Sequence, residues 1–249
     1  MIVSASTRCF EDLSLEDACA RLLDLEYSSV EITLNEDSTQ VKPSEVAADL
    51  ESAIARCHNP MRLNVTAYDI NITAEGDEYY EQFTACVKLA KATKVVTVTV
   101  PSAELGTPFN EEVERLRRLV AIAAMEGVRV GMKSQIGRLT QDIDTVAVLC
   151  DNVQGLGLTL DPSHYIVGPH QGRAIDKIIK YVFHVHLRDT SPDQLQVRVG
   201  QGEIEYTKLV HQLEKVRYSR ALSVDMPKSP EVDHMVEMRK IRLLLESAL

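Results

Sequence analysis

The sequence predicts a single α/β domain over residues 1–249 that folds as a (β/α)₈ TIM barrel. Strand and helix signals alternate along the whole chain and form eight βα units, the number that such a barrel requires. The strand signals carry a polar face, whereas a flat parallel sheet covered by helices would be apolar on both faces. Side chains suited to metal binding or proton transfer stand at strand ends, where barrels carry their active sites.

The individual elements follow from short apolar runs and from helix caps. We predict strands at 2–6, 29–34, 62–66, 94–100, 128–133, 155–161, 182–188 and 220–225. We predict helices at 15–26, 44–57, 77–92, 110–126, 140–150, 172–180, 205–216 and 230–248. Ser14, Ser44 and Asn110 stand at helix starts as N-caps, and Gly127 stands where the fourth helix ends.

Alternation along each strand predicts which side chains face the barrel interior. In the strand at 128–133, apolar residues alternate with other residues, and the strand ends at Lys133. The same pattern in the other strands places a set of polar side chains on the inner face: Glu31, Lys133, Asp161, His184, His186 and Asp225. Asn64 in the third strand could join this set, and His164 follows on the loop after the sixth strand.

Two carboxylates and an imidazole from neighbouring strands form a candidate site for a divalent cation, with Asp161, His186 and Asp225 as the predicted ligands. Mn²⁺, Mg²⁺, Zn²⁺ or Co²⁺ would suit oxygen and nitrogen donors of this kind. Such an ion would polarise a carbonyl or hydroxyl group of a substrate, and a neighbouring side chain would move a proton.

Each of these residues also has a purely structural interpretation. An aspartate at a strand end, such as Asp161 or Asp225, often caps a helix or ends a strand. His184 lies one layer deeper than His186, where a hydrogen-bonded core histidine is the more common role. Glu31 could form a structural ion pair with Lys133.

The composition limits the classes of partner and compartment. A net charge of −10, without a cluster of lysine and arginine, disfavours nucleic acid as a partner. The five cysteines are scattered and never spaced as C-x-x-C, as expected for reduced thiols of a cytoplasmic protein. The first residues do not form a secretory signal, and no apolar run is long enough to span a bilayer, so we expect no membrane partner.

Several segments together resemble one family. They are Ser29–Ile32 in the second strand, Gly157–His164 in the sixth, His184–Asp189 and Arg198–Ile204 in and after the seventh, and Ala221–Asp225 in the eighth. Over nearly the whole chain, the sequence resembles the xylose isomerase-like TIM barrels, a group of sugar isomerases and epimerases that also includes endonuclease IV-like proteins. The resemblance implies a metal-centred pocket and a small polyol, keto-sugar or sugar-phosphate substrate.

The resemblance also implies roles for individual residues. Asp161 and His186 match metal ligands of the family, His164 matches a substrate-contacting histidine, Arg198 matches a substrate-contacting arginine, and Glu31 matches an acidic residue of the second strand. The expected substrate-binding residues are Asn64, His164, Arg188 and Arg198. The expected catalytic residues are Glu31, Lys133, His164 and Asp225.

Two positions depart from the family pattern. The fifth and eighth strands of family enzymes usually end in glutamates that bind metal and move protons, and here these positions are Lys133 and Asp225. The Lys133 ammonium could occupy the place of the cation and neutralise Asp161 and Asp225. Alternatively, a desolvated Lys133 with a lowered pKa could act as acid, base or electrophile. A third interpretation keeps the metal and turns Lys133 aside.

The sequence therefore favours a sugar or sugar-phosphate isomerase or epimerase that abstracts a proton next to a carbonyl with the help of a divalent metal. The alternative is a metal-free or non-catalytic barrel that binds a small polar ligand, with Lys133 in place of the cation. An endonuclease IV-like activity is disfavoured by the acidic charge. A homodimer is a candidate assembly, since pairing between barrels is common.

Overall fold

Eight parallel strands form a closed barrel in the computed structural model, which describes residues 1–229 and 232–249. Each strand pairs with the next along the sequence, and the last pairs with the first. The strands are β1 (Ile2–Ser6), β2 (Ser29–Asn35), β3 (Asn64–Asn71), β4 (Thr97–Pro101), β5 (Arg129–Lys133), β6 (Leu156–Leu160), β7 (Val182–Leu187) and β8 (Ala221–Val224). The predicted (β/α)₈ TIM barrel is confirmed.

Helices cover the outside of the barrel. They are α1 (Leu15–Asp24), α2 (Pro43–Ala48), α3 (Leu50–Cys57), α4 (Gly76–Ala92), α5 (Phe109–Met125), α6 (Ile143–Asn152), α7 (Ser163–Ile166), α8 (Asp176–Ile179), α9 (Tyr206–Lys215) and α10 (His234–Ala248). Short 3₁₀ turns lie at Thr7–Phe10, Pro60–Arg62 and Leu139–Gln141. In the ranges 1–229 and 232–249, no helix combines the length and the apolar character that crossing a bilayer requires.

Three helix predictions differ from the structure. The helix predicted at 44–57 is two helices, α2 and α3, because Asp49 leaves helical geometry at φ −146° and caps α3 with its side chain. The helix predicted at 172–180 is only the single turn of α8. The helix predicted at 230–248 begins at His234, and its first two predicted residues lie outside the described part of the chain.

The outer face of the barrel and the inner faces of the helices form the hydrophobic core. In β2, Val30, Ile32 and Leu34 are fully buried, and alternation directs them toward the helices. Leu22 of α1 and Phe83 of α4 are buried as well. All five cysteines are buried free thiols. Apolar burial, at roughly 25 cal/mol per Å², stabilises this shell and holds the inner polar side chains in fixed positions.

Strand β3 begins and ends later than predicted. The sequence predicts this strand at 62–66, but Met61 and Arg62 adopt positive φ angles of 53° and 67°, and the turn that they form delays the strand. Asn64 is therefore the first residue of β3 and lies exposed at the amino-terminal end of the barrel. This position corrects the expectation that Asn64 joins the substrate-binding residues at the carboxyl-terminal mouth.

Candidate active site

The carboxyl-terminal ends of the strands bring most of the predicted site residues to one mouth of the barrel. Lys133 is the last residue of β5, Asp161 follows β6, and Arg188 follows β7. His186 lies inside β7, and Asp225 follows β8. All of these except Lys133 are at most 4% exposed. These charged groups are removed from water, and the low dielectric constant of the protein interior strengthens the interactions between them.

The guanidinium group of Arg188 contacts two carboxylates. Its Nη2 atom donates hydrogen bonds to Oδ2 of Asp161 over 2.8 Å and to Oδ2 of Asp225 over 3.2 Å. Its Nε atom is buried and makes no hydrogen bond to any of the described residues. Burial would raise the pKa of Asp161, but the charge of Arg188, together with His164 and a hydrogen bond from Ser163, outweighs this effect and lowers the pKa.

A second arginine, Arg8, also binds Asp225, although the sequence patterns above do not single it out. Arg8 lies in the 3₁₀ turn after β1 and donates from Nε to Oδ1 of Asp225 over 2.8 Å and from Nη2 to Oδ2 over 2.7 Å. Against the effect of burial, Arg8 and Arg188 lower the pKa of Asp225 far below its usual range. The sequence carries a signal for Arg8, because this residue follows a strand end as Arg188 does.

Lys133 contacts a carboxylate that was not among the predicted site residues. Its Nζ atom lies 2.7 Å from Oδ1 of Asp69, which is buried in β3. The expectation that the Lys133 ammonium neutralises Asp161 and Asp225 is therefore corrected, since Arg188 makes those contacts. Asp69 escapes the sequence prediction because the third strand is predicted to end before it.

Deeper in the barrel, the carboxylate of Glu31 lies close to the imidazoles of both histidines of β7. Its Oε1 atom lies 2.8 Å from Nε2 of His186, and its Oε2 atom lies 3.2 Å from Nε2 of His184 without hydrogen-bond geometry. Ser223 donates to Oε2 over 2.6 Å. Burial alone would lower the pKa of His186, but the charge of Glu31 raises it to about 9. Against burial, the two histidines keep the pKa of Glu31 well below its usual range.

His164 lies beside Asp161 at the edge of the mouth. Its Nδ1 atom accepts the backbone N–H of Ile136 over 3.3 Å, and its Nε2 atom lies 3.6 Å from Oδ2 of Asp161. Burial lowers the pKa of His164 and outweighs the nearby carboxylate. A neutral imidazole whose Nδ1 accepts a hydrogen bond carries its proton on Nε2. His164 therefore presents an N–H donor toward Asp161.

Arg198 lies on the loop after β7 and lines a cavity at the same end of the barrel. The cavity has a volume of about 270 Å³, and its lining also includes Met226 and His234. Met226 directly follows Asp225, so the cavity adjoins the charged residues of the mouth. An exposed arginine on such a cavity is suited to an anionic or hydroxyl group of a bound molecule.

The glycine turn after Arg198 is organised by an internal carboxylate. The Oδ2 atom of Asp189 accepts the N–H groups of Gly200 over 2.7 Å and of Gly202 over 3.1 Å. Its Oδ1 atom accepts the N–H of Thr190 over 3.1 Å. These N–H groups are therefore engaged within the protein, which favours a structural role for the turn over a phosphate cradle.

The predicted ligands Asp161, His186 and Asp225 do not fit a divalent cation in this arrangement. Guanidinium N–H groups bind both oxygens of Asp225 and Oδ2 of Asp161, so a guanidinium group and its positive charge lie between the two carboxylates. Nε2 of His186 faces Glu31, and its Nδ1 lies 3.7 Å from Oδ2 of Asp225. A different donor set lies deeper, where Glu31, His184 and His186 each place one ligand atom within 4.8 Å of the others. Two imidazoles and one carboxylate are a donor set that suits zinc.

Solved structures of similar fold include several sugar-converting enzymes. 3-Keto-D-glucoside 4-epimerase YcjR from E. coli is 14% identical, with a TM-score of 0.76 over 99% of both chains. A D-tagatose 3-epimerase-like protein is 14% identical, with a TM-score of 0.75 over 99% of this chain and 97% of that one. The IolI protein with a bound zinc atom is 18% identical, with a TM-score of 0.74 over 100% and 98%. At these identities, the likeness establishes the fold alone.

A family model agrees with this structural likeness. Comparison with curated protein sequences returns no match. The model described as the xylose isomerase-like TIM barrel matches residues 19–244, which is most of the chain. The segments that carry the resemblance in the sixth, seventh and eighth strands all lie inside this range. The chain belongs to the xylose isomerase-like TIM barrel family.

Proposed function

We propose that this protein is an isomerase or epimerase of a small sugar or sugar phosphate, which moves a proton on a carbon next to a carbonyl group. The observation that carries this proposal is the meeting of a carboxylate, a neutral imidazole and a guanidinium at the mouth, from Asp161, His164 and Arg188. The names of two proteins of similar fold, both epimerases or epimerase-like, support the same reaction class.

The cationic side chains supply the stabilisation that an enolate oxygen requires. The Nε–H group of Arg188 is a buried donor without a partner in the described part of the chain. The Lys133 side chain is 16% exposed, so part of it remains accessible from the mouth. Hydrogen-bond donors that are fixed in a site without bulk water stabilise the negative charge that develops on a carbonyl oxygen more strongly than water does.

Asp161 is better suited than Asp225 to accept the proton. Asp225 receives three guanidinium N–H bonds, two from Arg8 and one from Arg188. Asp161 receives one guanidinium bond and one backbone N–H bond, and fewer charged donors leave a carboxylate more basic. In this proposal the Nε2–H group of His164, beside Asp161, donates a proton to the substrate oxygen.

The other predicted residues have supporting roles in this proposal. Asp225 and Glu31, which the sequence assigns to catalysis, hold Arg188 and His186 in place through hydrogen bonds. Arg198 binds the distal hydroxyl or phosphate group of the substrate from its cavity. A metal on Asp161, His186 and Asp225 would first require the movement of Arg188.

Hydrogen exchange into the substrate tests the proposal. Wild-type protein is incubated in D₂O with a panel of aldoses, ketoses and their phosphates, and deuterium next to the carbonyl is followed by NMR. We expect incorporation into one class of sugar, and a rate loss of about 100-fold or more in Asp161→Asn and in His164→Gln. His211→Gln, at an exposed surface histidine, is the matched control and should retain the wild-type rate. The proposal fails if folded wild-type protein shows neither exchange nor product across the panel.

A second candidate is a barrel that binds the same class of ligand without chemistry. It is favoured by the lowered pKa values of Glu31, Asp161 and Asp225, because weakly basic carboxylates are poor proton acceptors. Under this alternative, a sugar or sugar phosphate raises the Tm of the wild type while no deuterium enters the ligand. Arg188→Ala should then abolish the shift in Tm.

A further inference from the structure

The residue after β7 connects the ends of the two neighbouring strands. Arg188 binds Asp161, which follows β6, and Asp225, which follows β8, through a single nitrogen. We infer that the Arg188 guanidinium takes the place of a divalent cation at this mouth, where it neutralises both carboxylates and offers a donor to a substrate oxygen. The donor role rests on the proposed function, whereas the replacement of the cation does not.

The charge balance of the mouth favours a guanidinium over an added metal ion. Three carboxylates pair there with three cationic side chains at 2.7 to 2.8 Å: Asp69 with Lys133, Asp161 with Arg188, and Asp225 with Arg8. A divalent cation added to this balanced set would leave two uncompensated positive charges in a site that is removed from water. Such charges are unfavourable, because the desolvation of an ion is costly when no opposite charge remains to pair with it.

Arg188 also has a donor that the described residues leave unpaired. Its Nη2 atom is engaged by the two carboxylates, but its Nε atom is buried without a partner among these residues. A guanidinium is planar and permanently charged, and it binds oxygen atoms through fixed N–H directions. An oxygen of a bound molecule that accepts the Nε–H bond would satisfy this donor.

Lys133 is the natural competitor for this role, because it stands where family enzymes usually carry a glutamate. Its ammonium, however, is bound to Asp69 on the far side of β4, at 2.7 Å. The roles of Lys133 and Arg188 can therefore be distinguished by experiment. Loss of Arg188 removes the guanidinium from Oδ2 of Asp161 and one of the three guanidinium hydrogen bonds from Asp225, whereas loss of Lys133 removes neither contact.

Removing each cation in turn and adding metal tests this inference. Wild type, Arg188→Ala and Lys133→Ala are stripped with EDTA, loaded with Mn²⁺ or Zn²⁺, and analysed for bound metal and Tm. We expect Arg188→Ala to bind metal stoichiometrically and to gain about 4 °C or more in Tm on loading, because the positive charge between Asp161 and Asp225 is then gone and Nδ1 of His186 lies 3.7 Å from Oδ2 of Asp225. Lys133→Ala and the wild type should hold no metal at Asp161, so any metal that they bind at the deeper group of Glu31, His184 and His186 should be unaffected by Asp161→Asn.

An aspartate variant shows where any metal binds. Asp161→Asn in the Arg188→Ala background should remove both the metal and the gain in Tm, which distinguishes the mouth from the deeper group of Glu31, His184 and His186. The inference is overturned by stoichiometric metal in the wild type that Asp161→Asn removes, and equally by a folded Arg188→Ala protein that gains no metal. The wild-type comparison holds even if Arg188→Ala does not fold. No sugar is used, so a failed sugar assay leaves this result unaffected.

Discussion

The Nε2 atom of His186 lies 2.8 Å from Oε1 of Glu31, and both side chains are buried inside the barrel. The histidine is therefore protonated in the folded protein at pH values where an unfolded chain has already lost the proton. This ion pair couples the stability of the barrel to pH.

We predict that the free energy of unfolding falls as the pH rises from 6.5 to about 9. The pKa of His186 is raised from 6.5 to about 9, so its stabilisation is complete below 6.5 and is lost as the pH passes through the folded value. The loss is on the order of 3 kcal/mol, since one pKa unit corresponds to about 1.4 kcal/mol. Urea unfolding at a series of pH values measures it. Glu31→Gln should flatten the decline, and an equal decline in that variant would contradict the assignment.

At acid pH, the free energy of unfolding changes with pH in the opposite direction. The pKa of Glu31 is lowered from 4.5, so its stabilisation is present above 4.5 and is lost as the pH falls through the lower folded value. We therefore expect stability from this pair to be greatest between pH 4.5 and 6.5. Acid unfolding followed by circular dichroism should begin at higher pH in Ser223→Ala, which removes a hydrogen bond to the carboxylate. An unchanged acid transition would argue against this contribution.

The Lys133–Asp69 pair should behave as a coupled unit. Within residues 1–229 and 232–249, Lys133→Met leaves the buried Asp69 with only the hydroxyl of Thr99 as a side-chain hydrogen-bond donor, and we expect a destabilisation on the order of 3 kcal/mol. The double variant Lys133→Met/Asp69→Asn should be less destabilised than the sum of the two single variants, because no buried charge is left alone. Urea unfolding of the four proteins completes the cycle, and additive effects would mean that the pair is not coupled.

Asp189 should control the order of the glycine turn. Asp189→Ala removes the acceptor of the Gly200 and Gly202 amides, so their hydrogen exchange should accelerate while exchange in β7 is retained. Gly202→Ala should have a similar effect, because a Cβ atom at this glycine would overlap the Asp189 carboxylate. Mass spectrometry of peptides that cover residues 195–203 reports both, and unchanged protection in Asp189→Ala would refute this role.

Asn64 and Arg198 provide a contrast between the two ends of the barrel. Asn64→Ala should change the free energy of unfolding by less than about 0.5 kcal/mol and leave any ligand-induced shift in Tm unaltered, since Asn64 is exposed at the amino-terminal end. Arg198→Ala should reduce that shift, because Arg198 lines the cavity beside the mouth. Thermal unfolding with the ligand that best stabilises the wild type measures both effects.

Strand parity explains why much of the site could be predicted from the sequence. Glu31, Asp161, His186 and Asp225 all lie where alternation and strand ends place them, since a strand residue has only two faces to choose from. Asp69 was missed because the turn before β3, where Asn59, Met61 and Arg62 have positive φ, delays that strand. The Asn59-Pro60 pair marks a turn in the sequence but does not fix where the strand after it begins and ends.

The sequence does not allow the same kind of prediction of which cationic side chain contacts which carboxylate. Lys133 and Arg188 both reach the mouth, and parity alone does not tell which one meets Asp161 and Asp225. The answer depends on side-chain length and on the register of strands that are far apart in sequence. Arg188 meets both carboxylates because β7 lies between β6 and β8.

The bidentate pair of Arg8 and Asp225 spans 217 positions of the chain. A polypeptide still emerging from the ribosome would have Arg8 exposed for nearly the whole of synthesis, with its eventual partner not yet made. The closing contact between β1 and β8 has the same delay. Ring closure and completion of the binding pocket are therefore one late event, so a product truncated before the final strand would have most of the helices and none of the finished mouth.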